Sequence, residues 1–566
     1  MSDKHKTANA EHDNRLPFLK ARARGRNPAS ILPEDHVPRL ASAALVPGAK
    51  AWFRNACIVG AVMIGVVCCS GESLWLPSIF SENMVLQQDM PAPVWGRAKP
   101  GARVAVSLYD RDRKLAAAET TAAPEGGRWR VVLPALPAGG RYSLLIEAAP
   151  AGGEEAERRL FSNVLVGEVW LFCGQSNMMH PMNACAERED AIEGRLEFPL
   201  IRVAQIGMRN SHQTTEPQDE TQGYWGAVKW EDATYLVPRS SSTDIPGSCS
   251  AIGYFFARSL SEWLGRNVPV AVIEIGAILP VQAWLDEEVV EAVPELAPLK
   301  GRGYPDATCR AFKANIAPLA PYACRGAIYY QGEMNAGAGW TYYHGLKALI
   351  ASWRKAWSRP DMPFLVVQLP SFISHQAGRT ALDMDEASLA RFDGENRNHG
   401  YIPVREAQLR VSREIPKVGL VVTLDLGEKF DIHPPRKRAV GERLALQARK
   451  LAYGDASVVA DSPVPRSFRR EGARFIVAFD GAAGGLVARG KPRGLEVCNA
   501  AGEWRTASAV IKGAELEVWA DDVPEPAGVR YAWLGFPEVT LFNSQGLPAS
   551  PFCHPASDLK AMEERK

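Results

Sequence analysis

Three short polar stretches each follow an apolar run: Gly174-Gln175-Ser176-Asn177, Gln331-Gly332-Glu333-Met334-Asn335 and Asp431-Ile432-His433-Pro434. Between them they hold the parts of a nucleophilic site. A serine hydroxyl is inert near neutral pH until a base takes its proton during attack. Imidazole, with an ordinary pKa of about 6.5, suits that task. Ser176 is the candidate nucleophile, His433 the candidate base, and Asp431 the candidate carboxylate that orients the ring. Asp431 and His433 meet only if their loop turns, because side chains at i and i+2 separate along an extended chain. Glu333 and Asp425 are the fallback orienters. Acyl transfer also places negative charge on an oxygen, which needs donors already in place. The candidates are the Ser176 backbone N–H, Gly276, and the side-chain amides of Gln331 and Asn335. Gln175, Asn177 and Glu333 complete the expected substrate-binding and oxyanion set.

Each stretch also has an ordinary structural reading. GxSN alone is a common turn, DxHP before a helix can be a cap, and QGE can brace a sheet as a buried polar network. His180 and His344 have no spaced partners and read as structural. What joins the three stretches is their placement. Apolar runs at 164–172, 268–275, 326–330, 363–369 and 418–426 read as strands buried on both faces, as in a parallel sheet covered by helices. Helical periodicity lies between them at 251–265, 340–357 and 438–453. Ligands of such sheets bind at the carboxyl ends of the strands, which is where serine, acid and histidine all fall.

Around this expected α/β domain (164–454), residues 72–163 alternate in short segments with Gly and Pro punctuation, the pattern of a β-sandwich. Residues 455–566 return to β-rich character. Residues 1–55 carry ten Lys or Arg against five Asp or Glu before position 55 and read as a disordered basic extension. Residues 56–71 join a basic flank to an apolar core of about 14 residues. That core is short of the ~20 residues a membrane span needs, so it reads as an export signal, with a membrane anchor at 56–69 as the alternative.

The full chain has 566 residues, 46% hydrophobic and 23% charged, with a formal net charge of +1. Such a balance offers nucleic acid no general field, and no stable membrane partner is expected. Ten cysteines are present, three of them in 56–71. No Cys/His spacing suits a structural metal. Cys309 and Cys324 are candidates to close a loop.

Several blocks, in this order, resemble the SGNH-type carbohydrate esterases and, closely, the sialate O-acetylesterase family. They are LPSIFSENMVLQQ (76–88), VWG (94–96), GEVWLFCGQSNM (167–178), SAIGYFFARSL (250–260), NIAPLAPYACRGAIYYQGEMNA (315–336), REAQ (405–408), DIHPPRKRAVGERLA (431–445), VRYAW (529–533) and NSQGLPASPF (543–552). The resemblance implies an exported esterase that removes O-acetyl groups from sugars, with Ser176, His433 and Asp431 as its triad. It implies a flavodoxin-like core flanked by β-rich domains, and no metal or organic cofactor. Two alternatives stay open. One is an acetylesterase acting on xylan, xyloglucan or pectin. The other is a degenerate protein that binds carbohydrate without chemistry. The second is motivated by a departure: Ala277, Ile278 and Leu279 stand where relatives have Gly, Gly and Thr. Either Gly276 supplies the second oxyanion donor after a shifted turn, or the pocket is altered. Met334 and His180 are lesser departures. Aromatic stretches at 223–235 and 339–343 suit either sugar stacking or a core.

Overall fold

The computed structural model describes residues 74–206, 222–223, 226–227, 230–232, 249–299, 308–374 and 393–565. All lie in one compact unit, Ser70–Lys566. The basic extension and the apolar stretch at 56–71 fall outside the described residues, as does most of the aromatic segment 223–235.

Seven strands open the described chain: β1 (Val85–Gln87), β2 (Ala92–Arg97), β3 (Arg103–Asp110), β4 (Arg113–Thr121), β5 (Arg128–Leu133), β6 (Gly139–Ala149) and β7 (Glu157–Gly174). Alternation sets the inward face, with Val104, Val106 and Leu108 of β3 fully buried. β7 is 18 residues long. Its first half pairs antiparallel with β6, and its second half becomes a strand of the central sheet. The strand read as starting at 164 therefore begins earlier. Residues 157–163 alternate half-buried and exposed, whereas 164–174 are buried without interruption. The continuous apolar run marks the stretch covered on both faces, not the strand's start.

The central sheet adds β8 (Ile201–Ile206), β9 (Gln222–Gly223), β10 (Gly226–Ala227), β11 (Trp230–Asp232), β12 (Val270–Gly276), β13 (Gly326–Tyr330), β14 (Phe364–Val367) and β15 (Val418–Val421). Its spatial order is β8-β12-β7-β13-β14-β15, all parallel, with β9, β10 and β11 antiparallel at the β8 edge. The chain builds first to one side of β7 and then to the other. The carboxyl end of β7 is thus a topological switch point, where such sheets open a crevice.

Four helices cover the sheet: α1 (Ala251–Trp263), α2 (Gly339–Ala356), α3 (Tyr401–Glu414) and α4 (Arg438–Tyr453). α1 is capped by Ser250, whose hydroxyl accepts from the Gly253 amide. α4 stops at Gly454 in the left-handed region. Ten further strands, from Val464–Glu471 to Phe552–His554, form small antiparallel sheets, and a last helix, α5 (Leu559–Glu564), returns to α2, where Glu563 accepts from the Thr341 amide and hydroxyl. The result is a mixed α/β molecule with a mostly parallel central sheet and β-rich sheets. Among the described residues, no helix is long and apolar enough to cross a membrane. Cys324 is a free, buried thiol, so the candidate loop closure with Cys309 does not form. The aromatic segment 339–343 is the first turn of α2. Tyr342 is buried there, donating to the Gln331 carbonyl, which fits the core reading.

Candidate active site

The chain leaves β7 at Gly174, which pairs with Gly276 of β12 on one side and Tyr330 of β13 on the other. A Cβ on Gly174 would lie 2.0 Å from the Tyr330 carbonyl oxygen, so only glycine lets the three strand ends converge. Gly276 is held to the same residue type by Met179, whose Cγ would lie 2.3 Å from an added Cβ. Residues 176–179 then make one tight turn, closed by the Met179 amide on the Gln175 carbonyl at 3.1 Å. A full helix does not follow. The turn leaves Ser176 half-buried at the sheet edge.

His433 reaches this turn from the loop between β15 and α4. Its Nε2 lies 2.8 Å from Ser176 Oγ, although the two residues are 257 positions apart. Asp431 Oδ1 accepts from the backbone amide of His433, a contact to the main chain, at 2.8 Å. This bond fixes the backbone that carries the imidazole. Asp425, a fallback orienter, is bound in bidentate fashion by Arg443 at 2.8 and 2.7 Å. Glu333, the other, accepts from Asn177 Nδ2 at 2.7 Å.

The remaining expected residues divide by how their side chains are used. Asn177 is fully buried. Its Nδ2 also donates to the Ile432 carbonyl at 2.9 Å, and its Oδ1 accepts from Lys437 Nζ at 2.7 Å. Gln331 is fully buried and donates to Asn335 Oδ1 at 2.9 Å and to the Leu279 carbonyl at 3.4 Å. Asn335 Oδ1 accepts a second bond from the Val281 amide at 2.9 Å. Gln175 Oε1 meets the Met334 amide at 3.5 Å. The three strand-end loops are therefore stitched together by side-chain amides.

The departure at 277–279 is accommodated without strain. None of Ala277, Ile278 and Leu279 has positive φ, so no glycine is required. The Ala277 amide bonds the Gly174 carbonyl at 2.9 Å and the Leu279 amide bonds the Ala277 carbonyl at 2.9 Å, leaving Ile278 at the tip with 48% of its surface exposed. Met334, on the opposite loop, is 51% exposed. His180 is structural: its Nε2 contacts the Ala184 carbonyl at 3.1 Å, and burial holds its pKa at about 4, so the ring is neutral.

Sequence reasoning missed Lys437. It stands in a basic run, PPRKRA, yet it is 1% exposed. Burial lowers its pKa to about 8. A periodicity argument finds it only in hindsight, since it sits one residue ahead of α4 and points inward under the helix start.

Comparisons with known proteins point to carbohydrate esterases. A family model described as carbohydrate esterase, sialic acid-specific acetylesterase, matches residues 166–450. A crystal structure of a carbohydrate acetylesterase from Xanthomonas citri is 31% identical. It covers 85% of this chain and 99% of its own, with a TM-score of 0.69. Sialate O-acetylesterase of Pongo abelii is 24% identical over 85% of this chain and 93% of its own length, and that of Homo sapiens 24% identical over 70% and 74%. The molecule is an ester hydrolase acting on carbohydrate. It belongs to the sialic acid-specific acetylesterase family of carbohydrate esterases, and by likeness it is a carbohydrate acetylesterase of the sialate O-acetylesterase kind.

Proposed function

We propose that the chain cleaves O-acetyl groups from sugars, sialic acid among them, through an acyl-enzyme on Ser176. His433 takes the hydroxyl proton as Ser176 Oγ attacks the acetyl carbonyl, and returns it to the departing sugar oxygen. Water, deprotonated by the same ring, then releases acetate. Asp431 holds the base loop. Asn335 supplies the side-chain oxyanion donor: Gln331 and the Val281 amide both occupy its Oδ1, which turns its Nδ2 away from them as a donor. The Ser176 backbone N–H is the second donor. The carrying observation is the 2.8 Å approach of His433 Nε2 to Ser176 Oγ.

The order of the parallel strands, with the nucleophile after β7, supports a flavodoxin-like core of the SGNH type. The domain division at 72–163, 164–454 and 455–566, and export directed by residues 56–71, belong to the same reading. Ser176→Ala is expected to fold with an unchanged melting temperature and to lose acetate release from p-nitrophenyl acetate. A fluorophosphonate probe should label the parent at Ser176 and leave the variant unlabelled. Full turnover by the alanine variant would overturn the assignment.

A further inference from the structure

The side chains around Ser176 and His433 do more than line a pocket. The two loops that carry them are fastened to each other at successive points. Asn177, one residue after the nucleophile, donates to the carbonyl of Ile432, one residue before the base, at 2.9 Å. The Ala186 amide bonds the Pro435 carbonyl at 3.0 Å. Glu187 Oε2 accepts from the Lys437 amide at 3.2 Å, at the amino end of α4. The first of these fastenings is the one nearest the chemistry, and it depends on which way round the Asn177 amide sits.

Lys437 decides that orientation. An ammonium is a donor without acceptor capacity, so at 2.7 Å it must face Oδ1. Nδ2 is then directed at Glu333 Oε1, 2.7 Å away, and at the Ile432 carbonyl. With the amide reversed, Nδ2 would meet an ammonium and Oδ1 would meet a carboxylate and a carbonyl, three repulsive contacts. The other Glu333 oxygen, Oε2, is covered and has no hydrogen-bond partner among the described residues. Lys437 lies 5.9 Å from the centre of the Tyr330 ring, beneath the switch point and out of solvent.

We infer that Lys437 is a positioning residue, which acts through the Asn177 amide to hold the nucleophile loop and the base loop in register. The inference rests on the proposed roles of Ser176 and His433. Lys437 touches neither reacting atom in this arrangement; it fixes the side chain that joins their loops. Because the bridge spans the residue after one and the residue before the other, loosening it moves Oγ relative to Nε2, and misplacement of reacting groups by about 1 Å can cost on the order of 10²-fold in rate.

Lys437→Met, Asn177→Leu and the double variant test this with p-nitrophenyl acetate. The expected result is a loss of kcat of about 10- to 100-fold in each single variant with KM within about twofold of the parent. The double variant should be no slower than the slower single, because both remove one device. Fluorophosphonate titration should still label every site, only more slowly, which separates misalignment from a misfolded fraction. Asn177→Asp covers the case in which the methionine variant does not fold. It keeps an ion pair with Lys437 but loses both Nδ2 bonds, and should show the same kcat loss. A Lys437→Met enzyme with kcat within threefold of the parent, losses that multiply in the double variant, or a fully active Asn177→Asp would each overturn the proposal. Persistent turnover by Ser176→Ala would instead remove the reading beneath it, so the two failures are distinguishable.

Discussion

At the scale of single residues, Ile278 and Met334 flank the nucleophile loop from either side. The first sits between two residues bonded into the β7 and β13 loops, the second on an amide held by Gln175. Both are among the few exposed large apolar side chains of the described residues. In the proposed reaction, an exposed isoleucine tip on the neighbouring strand-end loop would offer an apolar surface to the acyl group. The expectation is that acyl esters one or two methylenes longer than acetate are tolerated, each buried methylene contributing about 0.8 kcal/mol. Replacing both with glycine or alanine should lower kcat/KM for p-nitrophenyl butyrate several-fold more than for the acetate. An unchanged ratio would show that the rim does not touch the acyl chain. These two departures were visible in the sequence as residues of the wrong kind. Their exposure was not, since nothing in a string of letters says which side of a loop faces water.

At the scale of elements, β12 carries a carboxylate that its burial ought to forbid. Glu274 is fully buried, accepts from Gln205 Nε2 at 2.9 Å and from the Ser250 amide at 2.9 Å, and has its pKa raised to about 7 chiefly by burial. It thereby joins β8, β12 and the cap of α1. Ser250 in turn donates to the Met178 carbonyl in the nucleophile turn at 2.6 Å. The sign of its linkage follows from the raised value. Between about pH 4.5 and 7 the unfolded chain loses this proton first, so stability falls as pH rises through that window, by up to roughly 3 kcal/mol, and stays lower above it. Glu274→Gln should therefore match the parent in urea near pH 4.5 and exceed it at pH 8, with Gln205 turning its amide to meet the new donor. Equal midpoints at both pH values would contradict this account. The elements themselves were largely legible: β7, β12, β13, β14, β15 and helices α1, α2 and α4 coincide with apolar runs or helical periodicity. β8 was not, because Arg202 and Gln205 interrupt its six residues. α3 was not, because ten of its fourteen residues are buried and include Arg405, Glu406 and Gln408, so no polar face marks its period.

At the scale of the whole molecule, Arg405 shows how the β-rich C-terminal region is tied to the site. It is fully buried and its guanidinium is met by backbone carbonyls in place of a carboxylate. Nε donates to Leu369 at 2.9 Å, Nη1 to Leu534 at 2.8 Å, and Nη2 to Gly535 at 2.9 Å and to Pro370. Burial lowers its pKa to about 9, so it remains charged at neutral pH. One end of this clamp is the loop after β14, the other a turn near the end of the chain. The Phe372 amide bonds the Gly535 carbonyl at 2.9 Å, and the Ile373 amide bonds Lys429 at 3.1 Å, two residues before Asp431. Gln368 and Ser550 join the same two regions at 3.0 Å. The C-terminal region thus buttresses the loop that carries the base. Arg405→Met would take their donor from the buried Leu369 and Pro370 carbonyls and the half-buried Leu534 carbonyl, while Gly535 keeps the Phe372 amide, a loss of about 3–5 kcal/mol. The expected outcome is a lower melting temperature, with far-UV circular dichroism and tryptophan fluorescence still moving together, because the clamp joins units that unfold as one. Activity below the transition should fall as well, since the base loop loses its support. If fluorescence and dichroism instead separate into two transitions while esterase activity is retained, the C-terminal sheets fold independently and the path from Arg405 to His433 carries no weight.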